Sequence, residues 1–276
     1  MKALISINDK FMKTEAQKLI ELILATQHTQ GFEVYIDYNN AKELEYLKKM
    51  IPFIKEHKLI LQIHGEITLP LKKQIEYLKI LENFSKTINQ KIKYTLHPIY
   101  NKNKELSKKQ TTEYLNTIIQ NIDSERIMIT LENLNDIRGK IRLGVKDIQD
   151  IVLENKDIFF CFDIGHAIDK CREITPLSRE LITKTKNIHI HTLGEHSEDH
   201  YPITNNNKYS KQILKAIVQL IQAKLNKNVE FNIVYEYRLE LCKGDTTEEK
   251  IRNYLKEIDF ITDNILLFSK HLILKQ

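Results

Sequence analysis

Six apolar runs in this chain each end in an acidic or imidazole side chain. They are LILQIH ending at His64, IKYTLH at His97, IMITLE at Glu132, IFFCFD at Asp163, NIHIH at His191 and FNIVYE at Glu236. Histidine and carboxylate are the ligand types of zinc, manganese and cobalt, whereas a harder ion prefers mostly oxygen. A charged group at the end of a buried strand is costly without a partner or an ion. Read singly, a histidine in such a place is more often a packed or capping residue. The repetition is what points to a shared divalent-metal site, with Glu132, Asp163, His191 and Glu236 at its core. Two denser stretches widen the set. FDIGHA places His166 on the turn just after Asp163. HIHTLGEHSEDHYP carries His189 and His191 on one face of a strand, because side chains alternate along a strand. His196, Glu198, Asp199 and His200 follow on a loop. His64, His97, His166 and His200 are therefore further ligand candidates. His189 and His196 stay open between substrate contact, support of a ligand and exposure. His28 and His57 fall on predicted helices and read as surface residues.

These side chains need elements that bring them together. ALISI (3–7) and FEVYI (32–36) are two further strand-like runs. Helical spacing of Leu and Ile predicts helices near 13–28, 41–57, 70–90, 145–155, 176–186, 208–226 and from 246 onward. Another follows the fourth strand, with Ser107 as its expected cap. Pro52 is expected to kink or break its helix, and Pro70 to start one. Eight strand–helix units in alternation argue for a parallel sheet, and near-continuously apolar strands for a sheet covered on both faces. An open doubly wound sheet would not bring six strand ends to one point. A closed barrel does, because the C-terminal ends of its strands share one mouth. The expected fold is therefore α/β, a single (β/α)8 TIM barrel forming one domain over residues 1–276. That length suits a barrel, which typically needs about 250 residues. Of only seven glycines, Gly65, Gly165 and Gly194 follow ligand-bearing strands and Gly139 and Gly144 lie after the fifth strand. Glycine there suits sharp turns or close approach to a ligand. No Walker or Rossmann glycine motif is present.

The bulk properties exclude more than they identify. The net charge of +5 comes from lysines spread along the chain, which reads as a solvated surface rather than a nucleic-acid footprint. No apolar run reaches the ~18 residues of a membrane span. The opening MKALISINDKF meets Asp9 and Lys10 too soon for a signal peptide. The three cysteines, Cys161, Cys171 and Cys242, have no CxxC spacing. They read as reduced thiols of a cytoplasmic protein, with Cys161 packed inside the barrel.

These motifs resemble the xylose isomerase-like barrel superfamily, which includes sugar-phosphate isomerases and epimerases and endonuclease IV. The resemblance is carried by LEN at 131–133, FDIGHA at 162–167, HIHT at 189–192, EDHYP at 198–202 and Glu236, with His64 and His97 after the third and fourth strands. It spans roughly residues 59–237. In the isomerases and epimerases it implies a divalent ion (zinc, manganese or cobalt) held by Glu132, Asp163, His191 and Glu236. Glu132 and Glu236 would also move a proton through an enediolate, with His166 near the substrate oxygens. His189, Asn133 and Arg238 are the candidate substrate contacts. In endonuclease IV the resemblance implies a larger set, adding His64, His97, His166, Glu198 and His200, that holds three zinc ions for attack on a phosphodiester.

The sequence also departs from these patterns. Glu198 stands where the endonucleases use aspartate, with the adjacent Asp199 competing for that role, and ITNNNKYS replaces a glycine-rich segment common in the isomerase-like members. The early loops NDKFMKTE and DYNNAKE contain no arginine, although a DNA-bending enzyme needs cations for phosphates. Arg138, Lys140, Arg142 and Arg238 are placed to hold a substrate phosphate or to form a solvated charged surface. The leading expectation is a metal-dependent sugar or sugar-phosphate isomerase or epimerase. The alternatives are a zinc-dependent phosphodiesterase or apurinic-site endonuclease, and a non-catalytic ligand-binding barrel. A small sugar is the expected partner ahead of nucleic acid, with no membrane contact, and barrels of this kind often pair as homodimers.

Overall fold

A computed structural model of the chain describes residues 2–8, 10–37, 40–65, 70–134, 142–168, 174, 176–193, 200–203, 209–225 and 229–273. Strands and helices alternate: β1 (Lys2–Ile7), α1 (Ala16–Leu24), β2 (Thr29–Tyr35), α2 (Ala41–His57), β3 (Ile60–Gly65), α3 (Leu71–Ile88), β4 (Ile92–Leu96) and α4 (Lys104–Asn121). The second half repeats the pattern: β5 (Ile127–Glu132), α5 (Val145–Glu154), β6 (Ile158–Asp163), α6 (Arg179–Lys184), β7 (Thr185–Ile190), α7 (Ser210–Leu225), β8 (Asn232–Tyr235) and α8 (Thr247–Ile273). The strands run parallel in chain order, and β8 pairs with β1 to close the barrel. This is the expected (β/α)8 TIM barrel.

The helices exist because each offers one apolar stripe to the barrel wall. In α3 the buried residues include Tyr77, Leu78 and Leu81, and in α5 they are Val145, Ile148, Ile151 and Val152. Both sets follow the three-to-four spacing of a helix face. Asn40, Asn103 and Ser178 cap α2, α4 and α6, each side-chain oxygen accepting from a backbone N–H of the first turn. Among the described residues no helix is long and apolar enough to cross a membrane.

Several local expectations change. The first helix is shorter than expected, because Phe11–Lys13 form a separate 3-10 turn before α1. Pro52 does not break α2; it lies on the exposed face and the helix runs through it. Ser107 does not cap α4. It lies inside the helix, where its hydroxyl donates to the carbonyl of Ile99, and Asn103 is the cap. His28 is not helical. It lies between α1 and β2, with Nε2 2.7 Å from Oδ1 of Asp263 on α8. His57 is exposed at the end of α2, as expected.

The barrel interior beneath the mouth is polar. Gln62, Thr95, Thr130 and Asn187 each precede a candidate ligand by two positions and share its face. All four are buried. Thr95 Oγ1 accepts from Thr130 Oγ1 at 3.0 Å and from Asn187 Nδ2 at 3.2 Å. Glu33 of β2, also fully buried, joins them. One of its oxygens, Oε2, accepts from Gln62 Nε2 at 3.2 Å, Thr95 Oγ1 at 3.2 Å and Asn187 Nδ2 at 3.5 Å. A buried carboxylate is tolerable when donors surround it this way.

Candidate metal centre

Glu132, at the end of β5, is the hub of the mouth. Its Oε2 lies 2.9 Å from His64 Nε2, 3.5 Å from His97 Nε2 and 3.4 Å from His189 Nδ1. Its Oε1 lies 3.4 Å from His166 Nδ1. β3, β4, β6 and β7 supply these histidines or the turns that follow them, so closure of the barrel is what assembles the group. His64, His97 and Glu132 form one cluster with metal-ligand proximity.

A second cluster joins Glu132 to Asp163, His189 and Glu236. His189 Nδ1 is 3.3 Å from Glu236 Oε2. The expected quartet had His191 in this place. Strand β7 ends at Ile190, so His191 already stands beyond it and turns toward Asp163, with Nε2 3.1 Å from Oδ1. The deeper His189 faces Glu132 and Glu236, so both histidines meet carboxylates of the quartet.

The third cluster is His166, His191 and His200. The rings of His191 and His200 lie 4.4 Å apart, and those of His166 and His191 5.0 Å. Three local devices build it. Asp163 Oδ1 accepts from the backbone N–H of His166 at 2.7 Å, which tightens the turn. Thr192 and Tyr201 exchange backbone hydrogen bonds of 2.9 and 3.0 Å, which bring the neighbouring His200 beside His191. His200, in left-handed backbone at φ 63°, then donates its N–H to His191 Nδ1 at 3.0 Å. Gly165 is required by the same packing: a Cβ there would fall 2.2 Å from His191 Cε1.

The remaining candidates are placed less centrally. Asn133 directs both ends of its amide to the backbone of Asp163, at 2.9 and 3.0 Å, and so ties β5 to β6 rather than facing the cavity. Arg238 lines a cavity of about 290 Å³ with Ser6, Asn8, Tyr35 and the mouth histidines, and its backbone N–H donates to His200 O at 2.9 Å. Arg142 is half-buried and outside that cavity. Glu198, Asp199, His196, Arg138, Lys140, Gly139, Gly194 and Cys171 lie outside the described residues. Cys161 is buried inside the barrel as expected, and its sulfur also lies close to Glu132 and His189.

No family model matches the sequence, and no curated protein matches it by sequence. Solved structures do match. The D-psicose 3-epimerase of Clostridium cellulolyticum H10 is 12% identical, with 98% of this chain covering 99% of that one at a TM-score of 0.61. An AP endonuclease, family 2, from Brucella melitensis is 12% identical, with 90% of this chain covering 95% of that one at 0.60. A fusion of a xylose isomerase-like TIM barrel with 4-hydroxyphenylpyruvate dioxygenase reaches 0.65 at 9% identity, with 98% of this chain covering 44% of that one. The fold is that of the xylose isomerase-like barrels.

The mouth of the barrel gathers buried polar atoms that lack a hydrogen-bond partner. Among the described residues, His64 Nδ1, Glu132 Oε1, His166 Nδ1, His189 Nδ1 and Glu236 Oε2 are buried without a hydrogen bond. Each such atom carries a desolvation cost that a bound cation relieves. Burial pushes Glu132 and Glu236 up, yet the neighbouring histidines, His189 and His97 for Glu132 and His200 and His189 for Glu236, hold both well below the usual carboxylate range. Burial pulls His166 down, but Asp163 and Glu132 raise it to about 9. His200 goes the other way: burial lowers it to about 4, so it is neutral near pH 7 and its nitrogen lone pair is open to an ion. The donor set of imidazole and carboxylate suits zinc, manganese or cobalt.

One residue of the site went unread in the sequence. Glu33 lies mid-strand in FEVYI, not at a strand end, yet its Oε1 is 3.0 Å from His189 Nε2. The signal was a lone carboxylate in a run otherwise apolar.

Proposed function

We propose that this chain is a metal-dependent phosphoester hydrolase that cleaves a phosphodiester with a multinuclear centre. The observation that supports it is the continuity of three ligand clusters, the first two sharing Glu132 and the last two meeting at Asp163 and His191. His64, His97 and Glu132 would hold one ion, Glu132, Asp163, His189 and Glu236 the central one, and His166, His191 and His200 a third. Ions so held would supply Lewis acidity and would lower the pKa of water toward neutrality. Arg238, on the cavity wall, is of the residue type best matched to phosphate oxygens. The buried floor of Glu132, Asp163 and His189 excludes bulk water and strengthens every charge interaction above it. An AP endonuclease among the structural neighbours is consistent with this chemistry.

A second reading follows from a specific feature. Glu132 and Glu236 converge on His189 from two strands, at 3.4 and 3.3 Å from Nδ1. Paired carboxylates on one centre also suit proton removal and return at a sugar carbon, and a D-psicose 3-epimerase is among the neighbours. Metal analysis of protein purified without chelator separates the two. About three ions per chain, with hydrolysis of bis(p-nitrophenyl) phosphate or an abasic duplex, supports the hydrolase. About one ion per chain, no phosphodiester cleavage, and solvent deuterium entering a ketose would replace it with the epimerase.

A further inference from the structure

We infer that Glu33 is a positioning residue that decides which nitrogen of His189 is presented to the centre. The inference rests on reading the mouth as a metal centre. His189 Nε2 lies 3.0 Å from Glu33 Oε1, an ion-pair separation without full hydrogen-bond alignment. Neither atom has a hydrogen bond elsewhere among the described residues. On the other side of the ring, Nδ1 faces Glu132 at 3.4 Å and Glu236 at 3.3 Å. A neutral imidazole has one N–H and one lone pair. With its N–H toward Glu33, its lone pair points between two carboxylates, an arrangement of acceptors that a cation resolves. A carboxylate behind a histidine ligand is the usual way a protein fixes tautomer and ring orientation.

The carboxylate of Glu33 is itself held in place. Its second oxygen accepts from Gln62, Thr95 and Asn187. These donors make Glu33→Gln a directed test. They hold the amide oxygen of the glutamine at the Oε2 end, so its NH2 must face His189. That NH2 can only donate, so Nε2 must accept and the ring proton moves to Nδ1. The lone pair is withdrawn from the centre while the side-chain volume stays the same.

The experiment is zinc loading of the full chain with 15N-labelled histidine, followed by long-range proton–nitrogen correlation and zinc titration. In the wild type, His189 should show a metal-bound Nδ1 and a protonated Nε2, identified by its loss in His189→Asn. In Glu33→Gln that signature should vanish and zinc affinity of the weakened site should fall about 10- to 100-fold, with unchanged circular dichroism. Zinc on Nε2 in the wild type, or a Glu33→Gln chain with wild-type affinity and spectrum, would overturn the inference. If Glu33→Gln does not fold, the wild-type spectrum alone decides. A wild type that takes up no zinc sinks the metal reading and this inference with it, before Glu33 is altered.

Discussion

Gly165→Ala is the smallest change that tests the architecture of the third ligand cluster. The added Cβ would lie 2.2, 2.5 and 2.6 Å from Cε1, Nδ1 and Nε2 of His191. Ordinary van der Waals contact begins at 3.4 Å, so the ring must retreat from 2.2 Å to at least that distance. Ligand positions tolerate displacements of only about 0.2 Å. The move also disturbs the 3.1 Å approach of Nε2 to Asp163 and the bond from His200 N–H. Overpacking of this kind costs about 1–3 kcal/mol, which lowers Tm by roughly 2–12 °C at the ~2–4 °C per kcal/mol of a chain this size. The assay is metal content by mass spectrometry with thermal melting, both with and without zinc. One fewer ion per chain and a smaller zinc-induced rise in Tm are expected, with the barrel intact by circular dichroism. Full metal content at an unchanged Tm would refute the reasoning, because His191 would then have no need of the space that glycine leaves.

Three other outcomes follow from the same geometry. Glu132→Gln should empty both clusters that share this residue and abolish turnover, which metal analysis and the phosphodiester assay would show; an active variant with full metal would remove Glu132 as the hub. In metal-free protein, His166 has its pKa raised to about 9 from ~6.5 unfolded. Its contribution to stability is therefore complete below about pH 6.5 and lost as pH rises through about 9. The Tm gap between wild type and His166→Gln should shrink across that range, and a constant gap would contradict it. Lys93 behaves oppositely, because burial, aided by Lys186 and Lys2, lowers it to about 7. Its cost to the fold is present below pH 7 and relieved toward ~10.5. Lys93→Met should therefore raise Tm relative to wild type more at pH 6 than at pH 10, and the reverse order would show that Lys93 is not the group responsible.

Much of this molecule was legible because strand ends are conspicuous. A run such as IMITLE stops being apolar at the point where it reaches the mouth, and six such runs imply one meeting place. What could not be read was depth. His189 and His191 share a face in sequence, but only the end of β7 at Ile190 shows that the first faces Glu132 and Glu236 and the second Asp163. Asn133 follows Glu132 directly and looked like a substrate contact; pairing of β5 with β6 turns its amide to the backbone of Asp163. Glu33 escaped notice because its partners come from β3, β4 and β7, and no local pattern announces a contact that barrel closure creates. Ser107 fits a cap pattern as well as Asn103 does, and the choice depended on where the chain leaves β4.

His200 is the one member of the three clusters carried well past any strand, held by the Thr192–Tyr201 bridge and the backbone of Arg238. Strand-borne ligands can change only if the barrel wall changes with them. His200 can be gained or lost with the length of a single connection, while the folding core stays the same. Descent with modification therefore has a short route to a different set of side chains at this mouth, since a few inserted or deleted residues would add or remove one imidazole.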